Sequence, residues 1–148
     1  MTCEHFAFNF PAMQPAQFEH AIESIIRRDS RFDPQAYLFL KDALDFTLKR
    51  AAEDNGGQPR HVSGRELLLG FRDLALQEFG PMAHTLMGEW GLESTRNVGE
   101  MVFHLIEEQM FGKQDSDTLE DFEHIFDFDE AFAAPFVPAK QREPSRKD

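Results

Sequence analysis

The sequence has little cysteine and no long apolar run. Its single cysteine, Cys3, cannot form an internal disulfide, which fits a reducing compartment. No uninterrupted run of about eighteen apolar residues is present, which argues against a membrane-spanning helix. The N-terminus lacks the basic start and apolar stretch of a signal peptide. We therefore expect a cytoplasmic protein that makes no contact with a membrane.

Positive charge is also scarce. The chain has 15 Lys and Arg against 27 Asp and Glu, a formal net charge of −12. The excess is greatest in residues 115–138, where no Lys or Arg occurs. Because a field of this sign repels phosphate backbones and anionic lipids, nucleic acid and membranes are unfavourable direct ligands.

Polar aromatic residues are rare as well, since there are sixteen Phe but one Tyr and one Trp. Phe has no hydrogen-bonding group, so these rings indicate packing. We also expect Trp90, Met82 and Met87 to lie in the core, because large apolar side chains fill space there. A chain of 148 residues with 41% apolar residues fits one domain that needs no metal, cofactor or disulfide for stability.

Apolar residues recur at helical spacing along most of the chain. The fold class is therefore mainly α, a single domain of about five to six helices over residues 1–132, followed by a flexible tail at 133–148. The predicted helices cover residues 15–28, 35–52, 64–79, 81–90 and 95–111.

Helix ends carry recognisable signals. Ser63 and Glu66 form a capping box, in which each side chain bonds the backbone N–H of the other. Gly80 and Pro81 predict a sharp stop followed by a new helix, and Gly91 ends that helix. The capping box accounts for Ser63 without a catalytic role, and we predict no catalytic residue in this chain.

The helices predicted over 64–79, 81–90 and 95–111 follow one another in the order of a helix-turn-helix unit. If Lys113–Phe128 folds as a β-hairpin, the C-terminal half would be winged-helix-like. The alternation in Phe126–Asp129 is compatible with a short strand, whereas a further helix would make the protein a plain bundle. Both alternatives remain open from the sequence.

One helix carries a pattern that resembles a metal site. Glu100, His104 and Glu107 are spaced by four and three residues, which puts them on one helix face. Helical bundles use carboxylate and imidazole ligands at such spacings. However, these positions lie opposite the apolar stripe of the same helix, so we expect them to face solvent.

The acidic region after this helix contains more aromatic rings than a monomer normally leaves exposed. The rings either fold back on the core or form a docking surface for a protein partner. They belong to Phe122, Phe126, Phe128 and Phe132.

Three stretches carry a resemblance to a known family. RHVSG-x-ELL, FGPMA and WG followed by VGE-x-VF resemble a functionally uncharacterised bacterial family found mainly in planctomycetes and verrucomicrobia. The resemblance spans residues from about 18 to 132 and implies that a small set of residues is important. These are Arg60, His61, Ser63, Gly64, Glu66, Gly80, Pro81, Trp90 and Gly91.

Together these features favour a non-enzymatic protein–protein interaction or regulatory domain with a protein partner. One alternative is a metal-dependent enzyme that uses His and carboxylate ligands. Another is a helix-turn-helix nucleic-acid binder, although Arg96 is followed by no further Lys or Arg until Lys113. A groove reader normally needs several phosphate contacts. The oligomeric state is left open.

Overall fold

The computed structural model describes residues 15–60, 62–110 and 122–136. Within these residues the chain forms five α-helices, and the predicted mainly helical fold is confirmed. A 3₁₀ turn joins the third helix to the fourth, and a π-helical turn and a second 3₁₀ turn occupy the last described segment. The elements are α1 (Pro15–Arg28), α2 (Pro34–Asp54), α3 (Gly64–Phe79), the 3₁₀ turn Gly80–Met82, α4 (Ala83–Glu89), α5 (Thr95–Glu107), the π-helical turn Asp129–Ala133 and the 3₁₀ turn Ala134–Phe136.

Side-chain caps begin helices α2 and α3. Asp33 accepts a hydrogen bond from the backbone N–H of Gln35 at 2.8 Å, and proline occupies the first position of α2. At the start of α3, the Ser63 hydroxyl accepts from the Glu66 N–H at 3.1 Å, and the Glu66 carboxylate accepts from the Ser63 N–H at 2.9 Å. The predicted capping box is therefore confirmed.

Helix α2 packs along α3, while α1 lies against α2 and α5. At the crossing of α2 and α3, a Cβ on Gly70 would lie 1.9 Å from the Thr47 hydroxyl oxygen, so the two backbones approach where glycine leaves room. The buried Thr47 hydroxyl donates to the Ala43 carbonyl at 2.7 Å, which satisfies it inside the core.

Aromatic rings fill much of the core. Trp90 is buried with its ring centroid 5.6 Å from that of Phe39, and Met87 is buried too. Met82 is 63% exposed, so its predicted place in the core was wrong. Residues Gly80–Met82 form a 3₁₀ turn, and Met82 directly precedes the buried Ala83. One residue is a rotation of about 100°, which takes the Met82 side chain off the inward face of α4.

The connection between α4 and α5 touches the connection between α1 and α2. Gly91 has a φ of 90°, and a Cβ there would lie 2.4 Å from the Arg31 carbonyl oxygen. The Asp33 N–H donates to the Trp90 carbonyl at 3.1 Å. Glycine at 91 is thus required by both its backbone conformation and the close approach.

The region after α5 departs from the prediction. Helix α5 ends at Glu107, and Gln109 adopts a φ of 64°, so the helix does not continue to residue 111. No strand occurs in residues 122–136; Phe126 lies in a bend, and Phe128 directly precedes the π-helical turn that begins at Asp129. Of the two open alternatives, the strand at Phe126–Asp129 is not formed and the winged-helix hairpin is not supported; the other residues of that segment, 113–121, lie outside the described ranges.

The lengths and compositions of the described helices bear on the prediction that no helix spans a membrane. None of α1 to α5 combines the length and the apolar composition needed to cross a bilayer.

Candidate functional site

The structure separates the three residues of the predicted metal pattern. The side chain of Glu107 is 65% exposed, whereas those of Glu100 and His104 are only 18% and 15% exposed. The expectation that all three face solvent was therefore wrong for two of them. The reason is tertiary, because the connection between α1 and α2 covers this part of α5.

His104 lies between two polar partners, Tyr37 of α2 and Asp29 of the connection between α1 and α2. Its Nδ1 is 2.9 Å from the Tyr37 hydroxyl, and its Nε2 is 3.3 Å from Asp29 Oδ2. Tyr37 is fully buried. The arrangement is satisfied when the Tyr37 hydroxyl donates to Nδ1 and the Nε2 proton is directed to Asp29, which assigns the Nε2–H tautomer to a neutral imidazole.

Burial and hydrogen bonding shift the pKa values of three neighbouring residues, which we call the His104 cluster (Asp29, Tyr37 and His104). Burial lowers the pKa of His104, although the Asp29 carboxylate opposes that shift. Burial likewise raises the pKa of the Tyr37 phenol, so the hydroxyl keeps its proton. The hydrogen bond from Arg31 lowers the pKa of Asp29.

The neighbouring carboxylates are matched by arginines. Glu100 lies 3.2 Å from Arg31 and 3.8 Å from Arg96, while Glu107 lies 3.1 Å from Arg28. Nowhere in the described ranges do three or more His, Cys, Asp or Glu side chains converge as metal ligands. The predicted three-residue metal site is thus not formed, because guanidinium groups hold two of its three members.

The aromatic residues after α5 fold back on the core. Phe122 is fully buried against α5, where a Cβ on Gly99 would lie 2.5 Å from it. Phe128 and Phe132 are also buried, with their ring centroids 5.1 Å apart, and Phe126 is partly buried beside them. Of the two alternatives, the structure thus shows core packing, and the docking surface predicted from these four rings is corrected.

The start of α5 is poorly suited to phosphate. Arg96 pairs with Glu123 and Glu100, so the single base near the start of the predicted recognition helix is neutralised. A pocket of about 310 Å³ at this helix end is lined in part by Glu93, Asp127 and Asp129. Although a helix N-terminus favours anions, these carboxylates oppose that effect.

Two grooves lie on a different face of α2 from the one that carries Tyr37, and the sequence analysis predicted neither of them. The first, the α1–α2 groove, has a volume of about 530 Å³ and an apolar floor that includes Ile22 and Ile26. The second, the aromatic groove, has a volume of about 420 Å³ and lies between α2, α3 and Trp90. Leu38 lines both grooves, so they adjoin each other.

Carboxylates surround both grooves. Glu19 and Glu23 line the α1–α2 groove, and Asp42 and Glu78 line the aromatic groove. Unlike the acids near His104, none of these four forms an ion pair within the described part of the chain. Burial raises the pKa of Asp42; the charge of Lys41 opposes this increase, and the charges of Asp45 and Glu78 add to it.

The sequence carries a signal for these grooves. Pro34, Leu38, Asp42 and Phe46 recur every fourth residue of α2, on a different face from Tyr37. A helix with apolar residues on two faces is expected to contact a neighbour on each.

The residues implied by the family resemblance have structural roles where they are described. Arg60 extends the capping box by pairing with Glu66 at 2.7 Å, and Gly80 ends α3 with a φ of 51°. His61 lies outside the described residues. No family model, curated protein or solved structure matches this chain. The resemblance to the bacterial family therefore stays a prediction.

Proposed function

We propose that this chain is a non-enzymatic protein-interaction domain and that its docking face consists of the α1–α2 groove and the aromatic groove. The observation that carries the proposal is the pairing of two adjoining depressions, about 530 and 420 Å³ in volume, across the shared side chain of Leu38. Concave apolar surfaces bordered by polar residues are typical of protein interfaces.

The character of the lining supports a binding role. The partly buried Phe46 and Phe79 line the aromatic groove together with the buried Trp90, and large aromatic side chains dominate binding energy at interfaces. Carboxylates without ion pairs at the border can take part in polar contacts with a partner. By contrast, the polar groups of the His104 cluster are already bonded to one another.

The proposal is tested by Leu38→Glu, which places a charge on the ridge between the grooves. The full-length protein and the variant are purified from native cells after mild cross-linking, and captured proteins and cross-linked sites are identified by mass spectrometry. We expect a reproducible partner cross-linked to α1 or α2 that is lost in the variant, because a buried unpaired charge opposes docking.

Thr85→Glu is the matched control, since Thr85 is exposed on α4 outside the lining of both grooves. Circular dichroism establishes that both variants keep their helical content. Equal capture by the wild type and Leu38→Glu, or cross-links that cluster away from α1 and α2, would contradict the proposal.

A further inference from the structure

We propose that the two grooves together hold one amphipathic α-helix of a partner protein, with apolar residues on one face and Lys or Arg on its flanks. This inference rests on the proposed docking face and specifies the chemistry of its occupant.

The shape of the face fits a helix. Pro34, Leu38, Asp42 and Phe46 line the grooves over thirteen residues of α2, and the twelve rises between Pro34 and Phe46 span roughly 18 Å at about 1.5 Å each. A bound helix of about thirteen residues spans the same length and inserts side chains at positions i, i+4 and i+7. Leu38 would lie between two such side chains, one in each groove.

An extended peptide is less well matched. Extended peptides commonly bind by adding a strand to an open sheet edge, where backbone groups provide hydrogen bonds. In residues 15–60 and 62–110 the grooves are walled by helices, whose backbone groups bond within the helix. The docking face therefore offers a partner side chains but no free backbone groups. A helix can bind such a surface because its own backbone N–H and C=O groups are hydrogen-bonded within the helix.

The charge of the border selects a basic helix. Four carboxylates, Glu19, Glu23, Asp42 and Glu78, stand against one base, Arg27, among the residues that line the two grooves. Burial disfavours the charged form of Asp42, and Asp45 and Glu78 add repulsion, which the charge of Lys41 opposes. A partner with Lys or Arg on both flanks would relieve that repulsion, whereas an acidic helix would increase it.

Two other occupants fit less well. In a symmetric dimer the same acidic border would face itself across the interface, which places like charges together. The chain's own C-terminal segment is basic, but Pro138 and Pro144 leave only five residues between them, too few for the helix that the face accommodates.

The test is selection from a displayed library of helical peptides, randomised in face and flank residues, on the full-length protein. We expect selected helices to have apolar residues at i, i+4 and i+7 and basic flanks. The selected peptide should bind Leu38→Glu at least about tenfold more weakly, as expected at the centre of an interface.

Charge is tested with a quadruple variant that neutralises the border, compared with a variant that neutralises four exposed acids elsewhere. We expect roughly tenfold weaker binding for the first, since each exposed pair contributes modestly, and a change within about twofold for the second. Added salt should weaken wild-type binding. The two variants are Glu19→Gln/Glu23→Gln/Asp42→Asn/Glu78→Gln and Glu53→Gln/Asp54→Asn/Glu89→Gln/Glu130→Gln.

The possible failures are distinguishable. Helices that depend on Leu38 but have neutral or acidic flanks would overturn the basic partner while supporting the docking face. Selected helices unaffected by Leu38→Glu would bind elsewhere and overturn the inference. No enriched helix would overturn the helical occupant, while the docking face itself is decided by the cross-linking experiment with Leu38→Glu. A dimer detected by analytical ultracentrifugation and dissociated by Leu38→Glu would assign the face to a second copy and overturn the inference.

Discussion

Tyr37 and Leu38 are neighbours in the sequence, yet they belong to regions of opposite character. Tyr37 is fully buried in the His104 cluster, where its hydroxyl and both imidazole nitrogens have partners. Leu38 is partly buried and lies between two open grooves whose border acids form no ion pair in the described ranges. The comparison teaches that one face of α2 uses its polar residue in hydrogen bonds inside the fold, while a face about 100° away leaves apolar and charged groups at the surface.

The largest expected difference between the regions is in stability. Tyr37→Ala should lower the free energy of unfolding by about 3–5 kcal/mol, because it leaves a cavity and removes the partner of His104. Leu38→Ala should cost about 1 kcal/mol, since its surroundings are already open. Urea unfolding followed by circular dichroism measures both. Equal losses would show that the groove face is as much a part of the core as the cluster.

A second prediction concerns the pH dependence of the His104 cluster. Burial lowers the folded-state pKa of His104 from 6.5, so above pH 6.5 the imidazole is neutral in both the folded and the unfolded state. As the pH falls below 6.5, the unfolded chain takes up the proton first, and stability decreases until the lower folded-state pKa is reached. The slope for one proton is at most about 1.4 kcal/mol per pH unit.

Urea unfolding of the wild type and His104→Gln between pH 7.5 and 5 measures this contribution. We expect the wild type to lose more stability over this range than His104→Gln. His84→Gln is the control, because His84 is 45% exposed and pairs with the exposed Asp129. Parallel pH profiles for the wild type and His104→Gln would contradict the role assigned to the buried imidazole. Asp29, whose pKa is lowered, contributes stability that is lost only as the pH falls below 3.8.

The smallest expected effect is that of the ion pairs around the cluster. Arg31→Met should cost about 0.5–1 kcal/mol, because Arg31 is 53% exposed and water screens its pairs with Asp29 and Glu100. The cost should decrease when unfolding is repeated in about 1 M salt. A loss of stability as large as that of Tyr37→Ala would contradict this ranking. It would mean that the Arg31 ion pairs stabilise the packing of α5 as much as the buried hydrogen bond between Tyr37 and His104.

Local features of this fold were predictable because they depend on residues close together in the chain. Asp33 before Pro34, and Ser63 three residues before Glu66, specify helix starts through bonds that one turn of backbone completes. The same reasoning failed at Met82, where a 3₁₀ turn replaced the α-helical continuation. It also failed at Phe126–Asp129, where alternation of apolar and acidic residues arose without a strand.

The sequence by itself determined that this chain is helical, where most of its helices begin, and that its net charge is strongly negative, because capping and periodicity are local properties and net charge depends on composition alone. Only the tertiary structure decided the surroundings of particular side chains. A helical wheel treats α5 as isolated, and it could not show that Asp29 and Tyr37, distant in the sequence, cover His104. Nor could it show that Leu38 lies where two grooves meet, since that depends on how α1 and α3 pack on either side of α2.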